Sequence, residues 1–409
     1  MRVAVDYTAA VWQGGGIGRY TRELIGAAAA QGGVEYRLFY AARGLPGGSP
    51  FVAALRRLCA EHRHVRATPI PLSPRDLARL WHRLRLPLRA ELFTGPVDLL
   101  HAPDFALPPT RSRAIVTVHD LAFLLFPQFF TPPLAAYLRR VVSRAVRRAD
   151  LLLADSEATR RDLEQLLGVA PARVAVVYPG VSPAFRPLPP EACAPLRKRL
   201  GLPERFILFV STISPRKNLV RLLEAFAALD EGRRAMGEGL RHPGDSRALR
   251  EDGPVAGLDS PPLSLVIAGQ KGWLYDEVFA AIARLGLRER VRVLDFVDDN
   301  DLPALYNLAW ASVYPSLYEG FGLPALEALA CGTPLLTADN SSLPEAVGAA
   351  ALLVDAADIG ALTAGLRRIC TDEALRAQLR EAGPAWARQF TWERAACSLL
   401  GQYRRLYTG

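Results

Sequence analysis

The stretch Glu319-Gly-Phe-Gly-Leu-Pro-Ala-Leu-Glu327, preceded by the short apolar run Ala311–Tyr314, decides how this chain is read. The run has the length and composition of a buried strand, and Pro324 suits the first position of a helix. Gly322 and Leu323 would then present backbone N–H groups at the positive end of that helix. Strand, glycine turn and helix together make a βα unit open to an anion. Glu319 precedes the turn and Glu327 lies inside the helix, eight positions apart. Buried carboxylates are costly without partners. A polyhydroxyl ligand that engages both is a fuller account than two structural acids.

Working outward, β-branched runs alternate with helical patterns on both sides of this stretch. Strands are expected at 206–211, 263–268, 291–296, 311–314, 334–337 and 351–354, and earlier at 2–6, 36–40, 98–101, 114–119, 151–154 and 174–177. Helical stretches such as 20–30 and 133–149 lie between. Such alternation implies parallel sheets covered by helices on both faces. Seven prolines at 179, 183, 187, 189, 190, 195 and 203 break the pattern and suit a linker. The expected organisation is a domain over 1–183, a linker over 184–203, a domain over 204–390 and a final helix over 391–409. A polar, Gly-rich segment at 230–262 reads as a mobile insertion in the second domain. Ser342 and Glu345 match a capping box.

The 409 residues, half of them apolar, suffice for two cores. Five scattered cysteines form no Cys-x-x-Cys pair, which fits a reducing cytoplasm better than a disulfide framework or a zinc site. The first residues read as a strand rather than a signal peptide, and the apolar stretch 121–130 is too short to span a bilayer. The net charge of +9 is uneven: residues 1–183 carry 24 Arg against 14 Asp and Glu, the remainder 26 basic against 27 acidic. A one-sided excess of cations suggests an anionic partner.

Three further elements carry chemistry. Gly14-Gly-Gly-Ile-Gly-Arg19 is a glycine turn before a helix, where the glycines would let backbone approach a ligand and the helix would offer N–H groups to an anion, though a surface turn is the plain alternative. His119-Asp120 closes a buried strand at its C-terminal end, the edge at which open α/β sheets bind ligands. A structural histidine is the competing reading. Pro215-Arg216-Lys217-Asn218 sets two cations at a helix start, a suitable seat for a diphosphate. Lys217 is one of only three lysines against 47 arginines, so a compact ammonium is wanted there.

Together, Gly-Gly-Ile-Gly-Arg-Tyr near the start, His119-Asp120, Ala154-Asp155-Ser156, Tyr178-Pro179-Gly180-Val181, Pro215-Arg216-Lys217-Asn218 and Glu319…Glu327 resemble the fourth family of retaining glycosyltransferases. The resemblance covers nearly the whole chain except 230–262. It implies the α/β GT-B fold, two facing Rossmann-like domains with an interdomain active-site cleft, and a final helix crossing back to the first domain. It implies that Arg216 and Lys217 hold the donor diphosphate, with Gly16 approaching it. Glu327 would bind the ribose and Glu319 the transferred sugar. Gly322 and Leu323 would offer amides, His119 would bond the sugar, and Phe296 and Val297 would cradle the base. No cofactor is expected. No Asp-x-Asp pair is placed to hold a metal, so none is expected either.

Within that family, His119-Asp120-Leu121 followed by Phe126-Pro127 is most similar to bacterial mannosyltransferases of surface polysaccharide assembly. That favours GDP-mannose over a UDP-hexose as donor, and a glycan or lipid-linked acceptor. A stripe of Leu77, Leu80, Trp81, Leu84 and Leu88, with Arg75, Arg79, Arg83 and Arg89 nearby, suggests a cytoplasmic protein docking peripherally on anionic membrane. Packing of that stripe on the sheet is the alternative. A nucleotide-dependent oxidoreductase would leave Glu319 and Glu327 unexplained. A nucleic-acid-binding protein finds no motif in its support, so no nucleic acid is expected.

Overall fold

The computed structural model describes residues 1–238 and 262–408, which divide into two compact units. The first comprises residues 1–182, the short segment 319–323 and the chain from 389 onward. Its sheet holds seven parallel strands: β1 (Arg2–Asp6), β2 (Glu35–Ala41), β3 (Val65–Ile70), β4 (Leu99–Ala102), β5 (Arg113–Val118), β6 (Leu151–Ala154) and β7 (Val174–Val176). Their order is β3-β2-β1-β4-β5-β6-β7, with Val5 opposite His101 and Thr117 opposite Leu153. Strands buried on both faces are apolar without alternation, as Ala-Ile-Val-Thr-Val in β5 shows. The chain reverses its direction of winding between β1 and β4, so the C-terminal edge there is the expected ligand edge.

The final helix, Trp392–Thr408, lies against the helix Gly16–Gln31, and Trp392, Leu399, Leu400 and Tyr403 share a core with Val3, Tyr20 and Leu24. Gly180 permits this approach, because a Cβ there would run into the backbone of Thr391 and Trp392. Val181 donates its N–H to the Phe390 carbonyl at 3.0 Å. Inside the core, His101 Nδ1 and the Tyr403 hydroxyl share a hydrogen bond of 2.7 Å, and His101 Nε2 meets the Thr117 hydroxyl at 3.0 Å. Burial first, then the charge of His119, pushes His101 down to about 3, so its imidazole is neutral.

The second unit comprises residues 183–318 and 324–388. Its six parallel strands are β8 (Phe206–Val210), β9 (Ser264–Ala268), β10 (Val291–Leu294), β11 (Ala311–Tyr314), β12 (Leu335–Ala338) and β13 (Leu352–Val354), in the order β10-β9-β8-β11-β12-β13. Here the winding reverses between β8 and β11, the strands that lead to Arg216 and to Glu319.

Several local expectations differ from what is observed. The strand β3 escapes the sequence reading because Val65-Arg-Ala-Thr-Pro-Ile70 is an edge strand, half exposed and interrupted by Pro69. The stretch 184–203 is not irregular, since the helix Pro190–Leu200 runs through it. Pro190 takes the first position, where no N–H is needed, Gly201 closes the helix at φ 56, and Cys193 and Leu196 are buried. Of the expected insertion, residues up to Glu238 continue the helix Leu219–Glu238, and 239–261 lie outside the described residues. Ser342 precedes the helix Leu343–Val347 but makes no capping bond from its side chain, having helical backbone angles already (φ −90, ψ −6).

Candidate active site

At the C-terminal edge of the first sheet, His119 follows β5 and Asp155 follows β6. The adjacent strands bring His119 Nδ1 to 2.7 Å from Asp155 Oδ2, while Nε2 lies 2.8 Å from the Pro103 carbonyl after β4. Both nitrogens thus face acceptors. Burial alone would lower this imidazole, but the Asp155 carboxylate outweighs it and lifts His119 to about 9. At neutral pH it is an imidazolium that donates from both nitrogens. Tyr20 and Phe105 set ring edges against it at 4.9 and 5.3 Å between centroids. Phe105 does so from a left-handed backbone (φ 41), a conformation that non-glycine residues keep only where the surroundings enforce it.

The segment 319–323 packs against this histidine. A Cβ on Gly320 would run into the His119 carbonyl, so the first glycine of the turn is required by close approach. The Thr159 hydroxyl joins the two, lying 3.1 Å from the His119 carbonyl and 3.3 Å from that of Gly320. Thr159 is held in turn by Ser156, whose Oγ accepts its N–H at 3.0 Å and caps the helix Glu157–Leu167. Glu319 is buried and Gly322 stands at φ 102, outside the range of ordinary side-chain-bearing residues. Leu323 begins the helix Leu323–Ala330, one residue ahead of the expected Pro324. Gly16 begins the helix Gly16–Gln31, and the space in front of its Cα is open. Gly18, by contrast, is crowded by the carbonyls of Gln13 and Ala9.

In the second unit, Pro215–Lys217 forms a single 3-10 turn after β8, and Asn218 then takes a left-handed conformation at φ 62. The two cations therefore precede the helix Leu219–Glu238 on a turn of their own. Asn218 locks the turn, its amide donating to the carbonyls of Pro315 at 3.1 Å and Ala356 at 2.7 Å. Arg216 donates to the Tyr318 carbonyl, immediately before Glu319. The buried Lys217 ammonium donates to the Tyr314 hydroxyl at 2.7 Å. Glu327 is buried and accepts from the Tyr306 hydroxyl at 3.1 Å. Phe296 is exposed and Val297 half-buried, both beyond the end of β10 at Leu294.

The structure thus brings His119 together with the Glu319–Leu323 turn, and Arg216 with the carbonyl next to that turn. Lys217 and Glu327 are each seated on a tyrosine of the second unit. Asp155, Thr159, Tyr306 and Tyr314 emerge as supports that have no role in the sequence reading. For Asp155 a signal existed: it is an acid at a strand end, one strand over from His119.

Two all-parallel α/β units, each with charged side chains gathered at the C-terminal edge of its sheet, have the architecture of GT-B glycosyltransferases. The fold is shared with sucrose-phosphate synthase from Thermosynechococcus elongatus, at a TM-score of 0.71 and 21% identity over 100% of this chain and 99% of that one. Residues 14–185 match the family Glycosyltransferase Family 4, and residues 195–386 match Glycosyl transferases group 1. The chain is 31% identical to an O-antigen chain mannosyltransferase B of Escherichia coli over 310 residues, 75% of this chain and 74% of that protein. It is 35% identical to a D-inositol 3-phosphate glycosyltransferase of Salinispora arenicola over 298 residues, 70% of this chain and 62% of that one. The chain belongs to glycosyltransferase family four, and it is an enzyme that transfers a sugar.

Proposed function

We propose that this enzyme transfers mannose from GDP-mannose to a glycan or lipid-linked acceptor, with retention of configuration and without a metal ion. The observation that carries the reading is the turn holding Arg216 and Lys217 at the switch point of the second sheet, a fixed double cation where a diphosphate would sit. The mannosyl donor is favoured by the likeness to the O-antigen chain mannosyltransferase. In the reaction, the bond from the sugar's anomeric carbon to the diphosphate oxygen breaks. Arg216, Lys217 and the amides of Gly322 and Leu323 stabilise the charge left on the diphosphate. The acceptor hydroxyl forms the new bond on the same face, and its proton passes to a phosphate oxygen.

Glu319 contacts the transferred sugar, Glu327 binds the ribose, and Phe296 and Val297 flank the base. His119 is a cation already committed to Asp155 and Pro103, so its part is to hold the Gly320 backbone and to place positive charge near the reacting sugar. A thermal-shift series with GDP, UDP and ADP tests the donor, because a ligand that binds only the native state raises the melting temperature. Stabilisation by GDP alone is expected, and stabilisation by UDP alone would move the donor to a UDP-hexose. Proton NMR of the first product and transfer in EDTA test the remaining two points. An inverted product or strict need for added magnesium would contradict them.

We further propose that the first unit docks on anionic membrane from the cytoplasmic side. Leu77 and Trp81 do not serve this purpose, since both are buried and the Trp81 indole donates to the Leu88 carbonyl at 2.7 Å. That part of the expected stripe packs on the sheet. Leu84, Leu86 and Leu92 are exposed, with Arg83, Arg85 and Arg89 among them. Among the described residues no helix is long and apolar enough to cross a membrane.

A further inference from the structure

The entry to the final helix carries two rings that point to different places. Phe390 and Trp392 are two positions apart, and between them Thr391 caps the helix, its Oγ1 accepting the Arg394 N–H at 3.2 Å. The backbone there is pinned to the chain that follows β7. Val181 donates to the Phe390 carbonyl at 3.0 Å, and Gly180 lies so close to Thr391 and Trp392 that a Cβ would not fit.

Trp392 is buried and meets Tyr20 at 73° between ring planes, with centroids 6.0 Å apart. Tyr20, also buried, meets His119 at 85° and 4.9 Å. The two nitrogens of His119 are held by Asp155 and the Pro103 carbonyl, and hydrogen bonds tolerate tilting of the imidazole about them. A close-packed ring at right angles does not. The pleat places these groups in one layer. Side chains two apart on a strand share a face, and Asp155 follows Leu153 of the core that Trp392 completes.

Phe390 turns the other way. Its ring lies 5.6 Å from Phe321 and 5.9 Å from Tyr178, and those two are 6.1 Å apart, so the three close a cluster. Phe321 is the buried ring of the Glu319–Leu323 turn, set between Gly320, which abuts the His119 carbonyl, and Gly322 at φ 102. With glycine on both sides the turn has little stiffness of its own, and its aromatic anchor supplies it.

We propose that Phe390 and Trp392 are positioning residues that brace both parts of this active edge, Phe390 holding the Glu319–Leu323 turn through Phe321, and Trp392 holding His119 through Tyr20. The final helix then belongs to the catalytic apparatus as well as to the core. The effect on turnover rests on the reading that His119 and Glu319 stand at the transferred sugar. The brace itself does not.

The test is NMR of the full chain, labelled with 13C at histidine and 15N at glycine, with the His119 resonance assigned through His119→Gln. Trp392→Leu is expected to bring the His119 titration down from about 9 toward its ordinary 6.5. Tyr20→Leu should do the same without touching the final helix, and Tyr20→Phe, which keeps the ring, should not. Phe390→Leu should shift the Gly320 and Gly322 amides and leave the His119 titration in place. In folded protein, Trp392→Leu and Phe390→Leu should each lower kcat about tenfold, read as nucleoside diphosphate released from GDP-mannose or a UDP-hexose, with the donor KM unchanged. Lower melting temperatures in these variants, with the His119 and glycine resonances unmoved and kcat retained, would reduce the rings to packing and overturn the proposal. Moved resonances at full kcat, with His119→Gln equally active, would keep the brace and remove the part given to His119.

Discussion

Gly320 and Gly16 make opposite demands on the same kind of substitution. Gly320 has no room for a Cβ beside the His119 carbonyl, so Gly320→Ala must displace either the turn or the end of β5. We expect it to cost about 1–3 kcal/mol in a urea melt and to lower turnover with it. Gly16 opens a helix and faces free space, so Gly16→Ala should leave stability unchanged or slightly raised. If backbone there approaches the diphosphate, the same change weakens donor binding, a loss of affinity at full stability that calorimetry with the nucleoside diphosphate reads directly. Lys217→Ala and Glu327→Ala should weaken that binding by about 2–4 kcal/mol, roughly thirty- to a thousandfold, whereas Glu319→Ala should act mainly on turnover. Full activity in both Lys217→Ala and Glu319→Ala, with the fold intact, would remove the assignment. The residue types and spacings of this site were open to sequence reading. Their partners were not, because Asp155 reaches His119 through strand pairing, across 36 positions of sequence.

At the scale of elements, the buried strands were legible because a continuous apolar run states its own burial, while β3 hid behind Arg66, Thr68 and Pro69. The helix Pro190–Leu200 hid for a different reason, since proline density says nothing of which prolines stand at a helix's first position. The stripe around Trp81 shows a third limit. Its spacing is that of an amphipathic helix, yet the chain there passes from a short helix, Pro74–Ala78, into a π-helical turn, Arg79–Arg83, and Arg85 follows at φ 55.

The tie between the final helix and β4 carries a pH signature. The folded state depresses His101 to about 3, below its ordinary 6.5, so this group binds more protons when unfolded. Its share of stability is complete above about 6.5 and is lost as pH falls toward 3, at a limiting slope of about 1.4 kcal/mol per unit. His119 runs the other way. Raised to about 9, its contribution is full below 6.5 and disappears as pH climbs through 9. The stability advantage of the wild type over His101→Gln should therefore shrink on acidification, and that over His119→Gln on alkalinisation, in melts taken across pH. Tyr403→Phe should cost about 1–3 kcal/mol by leaving His101 Nδ1 without its partner.

For the whole molecule, the uneven charge and the exposed leucines make one testable statement. Sedimentation with vesicles should rise with anionic lipid and fall with salt, since each basic residue near such a surface contributes about 1 kcal/mol. Leu84→Asp should reduce it, and equal, negligible binding to neutral and anionic vesicles at low salt would leave the membrane out of the account. The division of the chain has a consequence of a different kind. Trp392, Leu399, Leu400 and Tyr403 complete the first unit's core, yet the entire second unit is encoded before them. On the ribosome, residues 1–182 emerge with an apolar seam along the helix Gly16–Gln31 and with His101 Nδ1 unanswered, and they wait while about two hundred more residues are made. Order of synthesis and order of completion are thus reversed: the unit that is translated first is the last to close.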